Sequence, residues 1–178
     1  MTKSPPKQQE PMGVTQWRDY GKRYGYWDFF KPTDDVVEFL NESNLIENVS
    51  NGDSLAQAVY AWNYIVGEDN LTPGAICKTH KILMLHHDLR PDERGYFRKR
   101  PVWVGGREGR RPDAIPFLMQ VWCDQANKSV VVGKKYNEED LQKNHVDFEV
   151  IHPFIDGNGR VGRILMNWQR VKIGKPIL

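Results

Sequence analysis

Cysteine is scarce in this chain: Cys77 and Cys123 are the only two in 178 residues. Two such distant thiols form neither a disulfide framework nor a zinc signature, and read as reduced, half-buried groups. Long apolar runs are missing too. The longest are pieces such as Ile115-Pro116-Phe117-Leu118-Met119, far short of the ~20 residues of a membrane span. Charge of one sign is also in short supply: a net +2 removes any global electrostatic case for nucleic acid. The N-terminus has no apolar core and cannot act as a secretory signal. These absences point to a cytoplasmic protein with neither a membrane nor a nucleic acid as partner.

What remains is the balance of one soluble domain, 39% apolar and 27% charged, in a chain too short for two full cores. Residues 1–14 read as a disordered leader. Residues 15–32 form an aromatic extension (Trp17, Tyr20, Tyr24, Tyr26, Trp27, Phe29, Phe30) expected to pack as a clasp, and residues 33–178 form the domain. Thr33 followed by Asp34 and Asp35 predicts a helix over about 34–48, broken by Asn51-Gly52. Ser54 to Gln57 has the capping-box spacing and predicts a helix to about Val66. Thr72-Pro73 starts another, with Ile76, His80, Leu83 and His87 at helical spacing. Residues 96–106 turn to extended chemistry with a Gly-Gly turn, which predicts a hairpin. Helices follow over about 113–127 and from Asn137 to His152. The expected fold class is all-α, a helical bundle core with one short β-hairpin.

The densest chemistry lies in Ile151-His152-Pro153-Phe154-Ile155-Asp156-Gly157-Asn158-Gly159-Arg160-Val161-Gly162-Arg163. Pro153 disfavours helix at His152, and the glycines allow a tight loop. A helix starting near Asn158 then presents free N–H groups to that loop, a ready anion site. At ~100° per residue, Arg160, Arg163 and Asn167 share a strip of that helix beside an apolar arc of Val161, Ile164, Leu165, Trp168 and Val171. Guanidinium forks suit phosphate oxygens. A carboxylate at Asp156 tolerates a polyphosphate neighbour only with a divalent cation between them, which points to Mg²⁺. His152 titrates near neutrality and is the natural general base. The G-x-G-x-x-G fingerprint matches formally at 157–162 but lacks the following strand and acid. The EF-hand acid spacing is absent as well.

This string closely resembles the signature of the Fic (filamentation induced by cAMP) family, His-Pro-Phe-x-Asp/Glu-Gly-Asn-Gly-Arg-x-x-Arg, at every fixed position. A weaker resemblance runs from about Val36 to Lys175. It implies a Fic fold and Mg²⁺-dependent transfer of AMP from ATP to a hydroxyl of a target protein (serine, threonine or tyrosine, on another protein or on the chain itself). By that resemblance His152 is the base and Asp156 holds Mg²⁺. Gly157, Asn158 and Gly159 cradle the α- and β-phosphates, Arg160 and Arg163 bind phosphate further along, and Asn167 reaches the adenine. The hairpin residues Val102, Trp103 and Val104 form the flap that docks the target. Glycine at 159, where the phosphotransferase branch carries lysine, implies nucleotidyl transfer. The oligomeric state stays open, with a dimer allowed.

Ser43-Asn44-Leu45-Ile46-Glu47-Asn48 fits the family's inhibitory pattern, Ser/Thr-x-x-x-Glu-Gly/Asn. Ser43 and Glu47 share a helix face, and the resemblance implies that Glu47 pairs with Arg163 and spoils ATP alignment. Alternatives on the same scaffold are another nucleotide donor or removal of AMP; outside it, a non-catalytic nucleotide- or peptide-binding module. The basic run at residues 94–111 reads either as a solvated loop or as a surface for phosphates or an acidic partner. His86-His87 and His145 are expected in surface, packing or supporting roles. The chain stops at Leu178, soon after the motif helix, whereas family members often continue with further helices.

Overall fold

The computed structural model describes residues 32–132 and 137–178; the leader and the aromatic extension to residue 31 lie outside them. Among these residues the chain forms six α-helices and one two-stranded sheet. The helices are α1 (Asp34–Ile46), α2 (Gly52–Val66), α3 (Pro73–Leu83), α4 (Ile115–Val132), α5 (Glu138–Ile151) and α6 (Asn158–Lys172). Strands β1 (Trp103–Val104) and β2 (Arg107–Glu108) pair antiparallel, Val104 opposite Arg107. Gly105 and Gly106, at φ 55° and 79°, supply the two positive-φ positions that a tight two-residue hairpin turn demands. The mainly helical bundle with one short hairpin is as the sequence implies.

Three of the described helix starts carry side-chain caps, whereas Thr33 at the start of α1 makes no cap hydrogen bond. Thr72 Oγ1 accepts from Ala75 N at 3.0 Å. Asn137 and Asp140 form a reciprocal capping box, satisfying two N–H groups that a helix start leaves open. One start differs from expectation: Asn51, not Ser54, caps α2, its side chain accepting from Ser54 N at 2.8 Å. The Asn51-Gly52 pair therefore opens a helix rather than merely closing the previous one. Helix α3 stops at Leu83, one turn before His87, and residues 112–114 form a 3₁₀ turn ahead of α4.

Helix α6 is the hub and touches each of the other five described helices. Val161, Ile164, Leu165 and Trp168 are fully buried on it, and removing an indole from such a place costs about 3–5 kcal/mol. Val171, the last member of the expected arc, is 42% exposed. Gly162 faces α5 so closely that a Cβ there would meet Glu149 Oε1 and, at 3.1 Å, Phe148. Being enclosed nearly all round, α6 also buries Arg160 and Asn167, so the polar strip predicted beside the apolar arc is largely interior. Both cysteines are free; Cys77 is partly exposed and Cys123 is fully buried.

Candidate active site

His152 ends α5 in the left-handed conformation, φ 50° and ψ 63°, which throws its side chain out of the helix line. Its Nδ1 lies 3.3 Å from Glu149 O. A carbonyl only accepts, so Nδ1 carries the proton and Nε2 keeps the lone pair of a base. Burial, the larger cause, and the nearby Arg98 charge hold the imidazole below its ordinary value, partly offset by the Glu149 carbonyl and by Asp156 and Glu47. The imidazole therefore stays neutral at physiological pH.

The loop after His152 is fixed from both sides. Asn158 is buried, and its amide pairs with both backbone groups of Phe154, accepting from N and donating to O at 2.9 Å each. Gly157 sits at φ 78°, and a Cβ on it would press on Met84 Sδ at 2.7 Å, so that position requires glycine. Asp156 is exposed, with Oδ1 accepting from Gly157 N at 2.6 Å. The first N–H groups of α6 point into this loop, unpaired within their helix. A Cβ on Gly159 would meet Glu47 Oε1 and Arg163 Nη1; the bare glycine leaves a ledge over the helix start.

Arg163 faces α1. Its Nε donates to Ser43 Oγ and its Nη2 to Ser43 O, both at 2.9 Å, and Nη2 also pairs with Glu47 Oε1 at 2.8 Å. Glu47 caps the end of α1, where Asn48 at φ 58° turns the chain away. Arg160 lies inside, Nη1 donating to His87 Nε2 at 2.7 Å and Nη2 facing Met84 Sδ at 3.2 Å, while its buried Nε has no partner among the described residues. Asn167 is buried four residues beyond Arg163; its Nδ2 donates to Arg163 O and its Oδ1 accepts from Leu178 N. The structure thus groups His152, Asp156, Gly157, Gly159, Arg163, Ser43 and Glu47 around the start of α6. Arg160, Asn158 and Asn167 support that region from within. Of the hairpin residues, Trp103 is 72% exposed and Val104 36%; Val102 is half-buried and its O accepts from Gly109 N.

Two supporting residues escaped the sequence reading. Arg98 is buried, and its guanidinium donates to His152 O (2.7 Å), Arg100 O (3.0 Å) and Arg110 O (2.6 Å). Its own N–H bonds Pro153 O. It clamps both feet of the hairpin to the backbone of His152. Nothing local distinguishes it from the other arginines nearby. His80 is fully buried, stacked on Phe154 at 3.9 Å. Gly95 N donates to its Nδ1 at 2.8 Å, so its Nε2–H faces Asp156 O at 3.0 Å. Burial pushes its pKa down to about 4. Its place on the apolar face of α3 was the one signal in the sequence. Glu149 moves the other way: burial, only partly offset by Arg163, holds it up at about 7. Its Oε2 lies 4.0 Å from His152 Nδ1.

Among the described residues no group of three or more His, Cys, Asp or Glu could hold a metal alone. The exposed carboxylate of Asp156 fits an ion whose other ligands are phosphate oxygens, the usual arrangement for Mg²⁺. No described helix is long and apolar enough to cross a membrane.

Known proteins supply the frame for this geometry. The solved chains similar to this one include a Fic domain containing signaling protein from Bacteroides thetaiotaomicron (20% identity, TM-score 0.62, 98% of this chain and 69% of that one). A Fic family protein from Desulfovibrio desulfuricans is also similar (21%, TM-score 0.59, 94% and 59%). At that identity they establish the fold alone. Among curated proteins, the chain is 34% identical over 115 residues to the protein adenylyltransferase Fic of Drosophila yakuba and 33% identical to that of Drosophila melanogaster. Each match covers 63% of this chain and 22% of the relative, so the chain spans about a fifth of those proteins' length. The model of the Fic/DOC family matches residues 70–169, from the segment ahead of α3 to within three residues of the end of α6. With more than half of its length inside that match, and the His152-to-Arg163 loop within it, the chain belongs to the Fic/DOC family.

Proposed function

We propose that this chain transfers AMP from ATP to a hydroxyl side chain of a protein. The observation that carries this reading is the placement of a neutral base, His152, beside a glycine-floored helix start with an exposed carboxylate at Asp156. In the reaction His152 Nε2 takes the proton of the target hydroxyl, and the oxygen attacks the α-phosphorus of ATP. The bond from that phosphorus to the bridging oxygen breaks, pyrophosphate leaves, and the imidazolium returns its proton to solvent. The N–H groups at the start of α6 hold the phosphate oxygens, with Gly157 and Gly159 keeping the cradle open. Arg163 clamps the far phosphate once it is free of Glu47, with Arg160 backing the cradle from inside. A Mg²⁺ held by Asp156 and the phosphates would neutralise charge on the leaving group. Asn167 contacts the adenine on this reading only if Leu178 releases its side chain.

The same reading makes the pair Glu47–Arg163 a brake. The Glu47 carboxylate lies over the Gly159 ledge, where a γ-phosphate needs to sit, and engages the arginine that would clamp it. Incubation with Mg²⁺ and ATP labelled at the α-phosphate tests both parts. Labelling of protein is expected to rise in Glu47→Gly and to vanish when His152→Ala is added. Unchanged labelling in Glu47→Gly would remove the brake, and undiminished labelling after His152→Ala would remove the mechanism. A second reading, removal of AMP, is favoured by the nearness of the Glu47 carboxylate to the cradle, where it would position a water. Release of AMP from a pre-modified protein with Mg²⁺ but no ATP, lost in Glu47→Gly, distinguishes it.

A further inference from the structure

The arginines of the basic run at residues 94–111 separate into two groups. Arg98 is buried, Arg94 Nη2 donates to His87 O, Arg100 pairs with Glu93 at 2.9 Å, and Arg111 pairs with Asp113 at 2.6 Å. Arg107 and Arg110 are exposed, and neither guanidinium has an ion pair or hydrogen bond among the described residues. Both line one open cleft of about 830 Å³ between the hairpin, the start of α4 and the outer face of α5. The cleft also carries an apolar wall: Val104 of the hairpin, Leu118 of α4, and Val146 and Val150 of α5. Val146 and Val150 stand i,i+4 on one helix face, 49% and 47% exposed. Two adjacent aliphatic side chains left to water beside two unneutralised arginines are a combination that packing within this domain does not require.

The position of the cleft gives it meaning. Glu149 lines it, and the Oε2 of that residue is 4.0 Å from His152 Nδ1. Whatever anchors on Val146 and Val150 therefore lies about one helical turn from the base. The outer rim is the hairpin itself, whose backbone can pair with an extended chain. Charge identifies the chemistry of that chain. Glu108 and Glu149 are the only carboxylates among the lining residues, and burial pushes Glu149 up toward its neutral form. A guanidinium pair of this kind is complemented by carboxylates.

We infer that this cleft selects the acceptor segment by seating an aliphatic or aromatic side chain on the Val104–Leu118–Val146–Val150 wall, with acidic side chains flanking it at Arg107 and Arg110. The inference rests on the reading of the site as an AMP transferase acting on protein hydroxyls, and it adds which protein segments are taken.

The test uses the Glu47→Gly chain with Mg²⁺ and ATP labelled at the α-phosphate. The substrates are synthetic peptide libraries with a fixed serine, threonine or tyrosine and randomised flanks. Labelled peptides should be enriched in Asp or Glu together with Leu, Ile or Phe. Adding Arg107→Glu and Arg110→Glu should shift the ratio of acidic to basic peptides on the order of tenfold toward Lys and Arg. Adding Val146→Asp should erase the aliphatic enrichment. Each readout is a ratio within one variant, so a change in overall rate does not imitate it, and all three substituted side chains are exposed. If the chain labels itself yet labels peptides without preference, or labels none, the inference is overturned while the transferase reading stands. If no label moves from ATP to peptide or chain, the transferase reading falls and this inference with it.

Discussion

The loop that carries His152 and the contact that covers it are built from opposite materials. Around the loop, the side chains that reach in from elsewhere and from the start of α6 are buried: Arg98, His80 and Asn158 are 3%, 0% and 2% exposed. Each bonds backbone atoms, so the loop is fixed whatever its side chains do. The cover is made of side chains at the surface. Glu47 is 39% exposed and Arg163 19%, and their pair is the kind that water and salt weaken. Buried polar networks are costly to disrupt, whereas exposed pairs contribute about 0–1 kcal/mol. The loop is thus held firmly and its cover is easily removed, as the proposed brake would require.

The comparison is most open to breakage at Arg98. Arg98→Met keeps the bulk but strips the donors from His152 O, Arg100 O and Arg110 O, all part-buried bonds, and a hydrogen bond to a charged group contributes roughly 1.5–3 kcal/mol. A loss of about 3 kcal/mol or more in urea unfolding is expected. A loss below about 1 kcal/mol would mean that the loop does not depend on its buried clamp. Next in size is the response to acid. His80 has a folded pKa near 4, below its ordinary 6.5, so the unfolded chain binds the extra proton. Its contribution is complete above pH 6.5 and is lost as pH falls toward 4, at about 1 kcal/mol per pH unit.

Glu149 masks part of that slope. Its folded pKa near 7 lies above the ordinary 4.5, so its contribution is complete below pH 4.5 and is lost as pH rises through 7. In Glu149→Gln this opposing limb disappears, and stability should rise more steeply with pH between 4.5 and 6.5 than in the parent chain. Equal slopes would show that Glu149 titrates normally. The smallest effect belongs to the cover. Glu47→Gln should change unfolding stability by less than about 1 kcal/mol, and a larger loss would place Glu47 with the structural residues instead.

How far the sequence foretold this division depends on distance along the chain. Helix starts at Thr72, Asn137 and Asn158 were legible because caps, prolines and glycines act within four residues. The motif loop was legible for the same reason. The link from Ser43 and Glu47 to Arg163 crosses more than a hundred residues, and only the family resemblance pointed to it. Arg98 had no such guide, since its partners are the carbonyls of other residues, which leave no mark on the sequence. Arg160 and Asn167 were placed correctly on one face of α6. Their burial depended on how many neighbours surround that helix, which periodicity within the helix cannot report.

The sharing of Arg163 has a consequence for genetics. If the brake holds this residue and the substrate needs it, losing it removes both restraint and activity. A selection for hyperactive variants should therefore return changes at Ser43 and Glu47 and spare Arg163. On that reading restraint would be lost through one end of α1, where a single nucleotide change suffices, while the partner residue would be protected by the activity that depends on it.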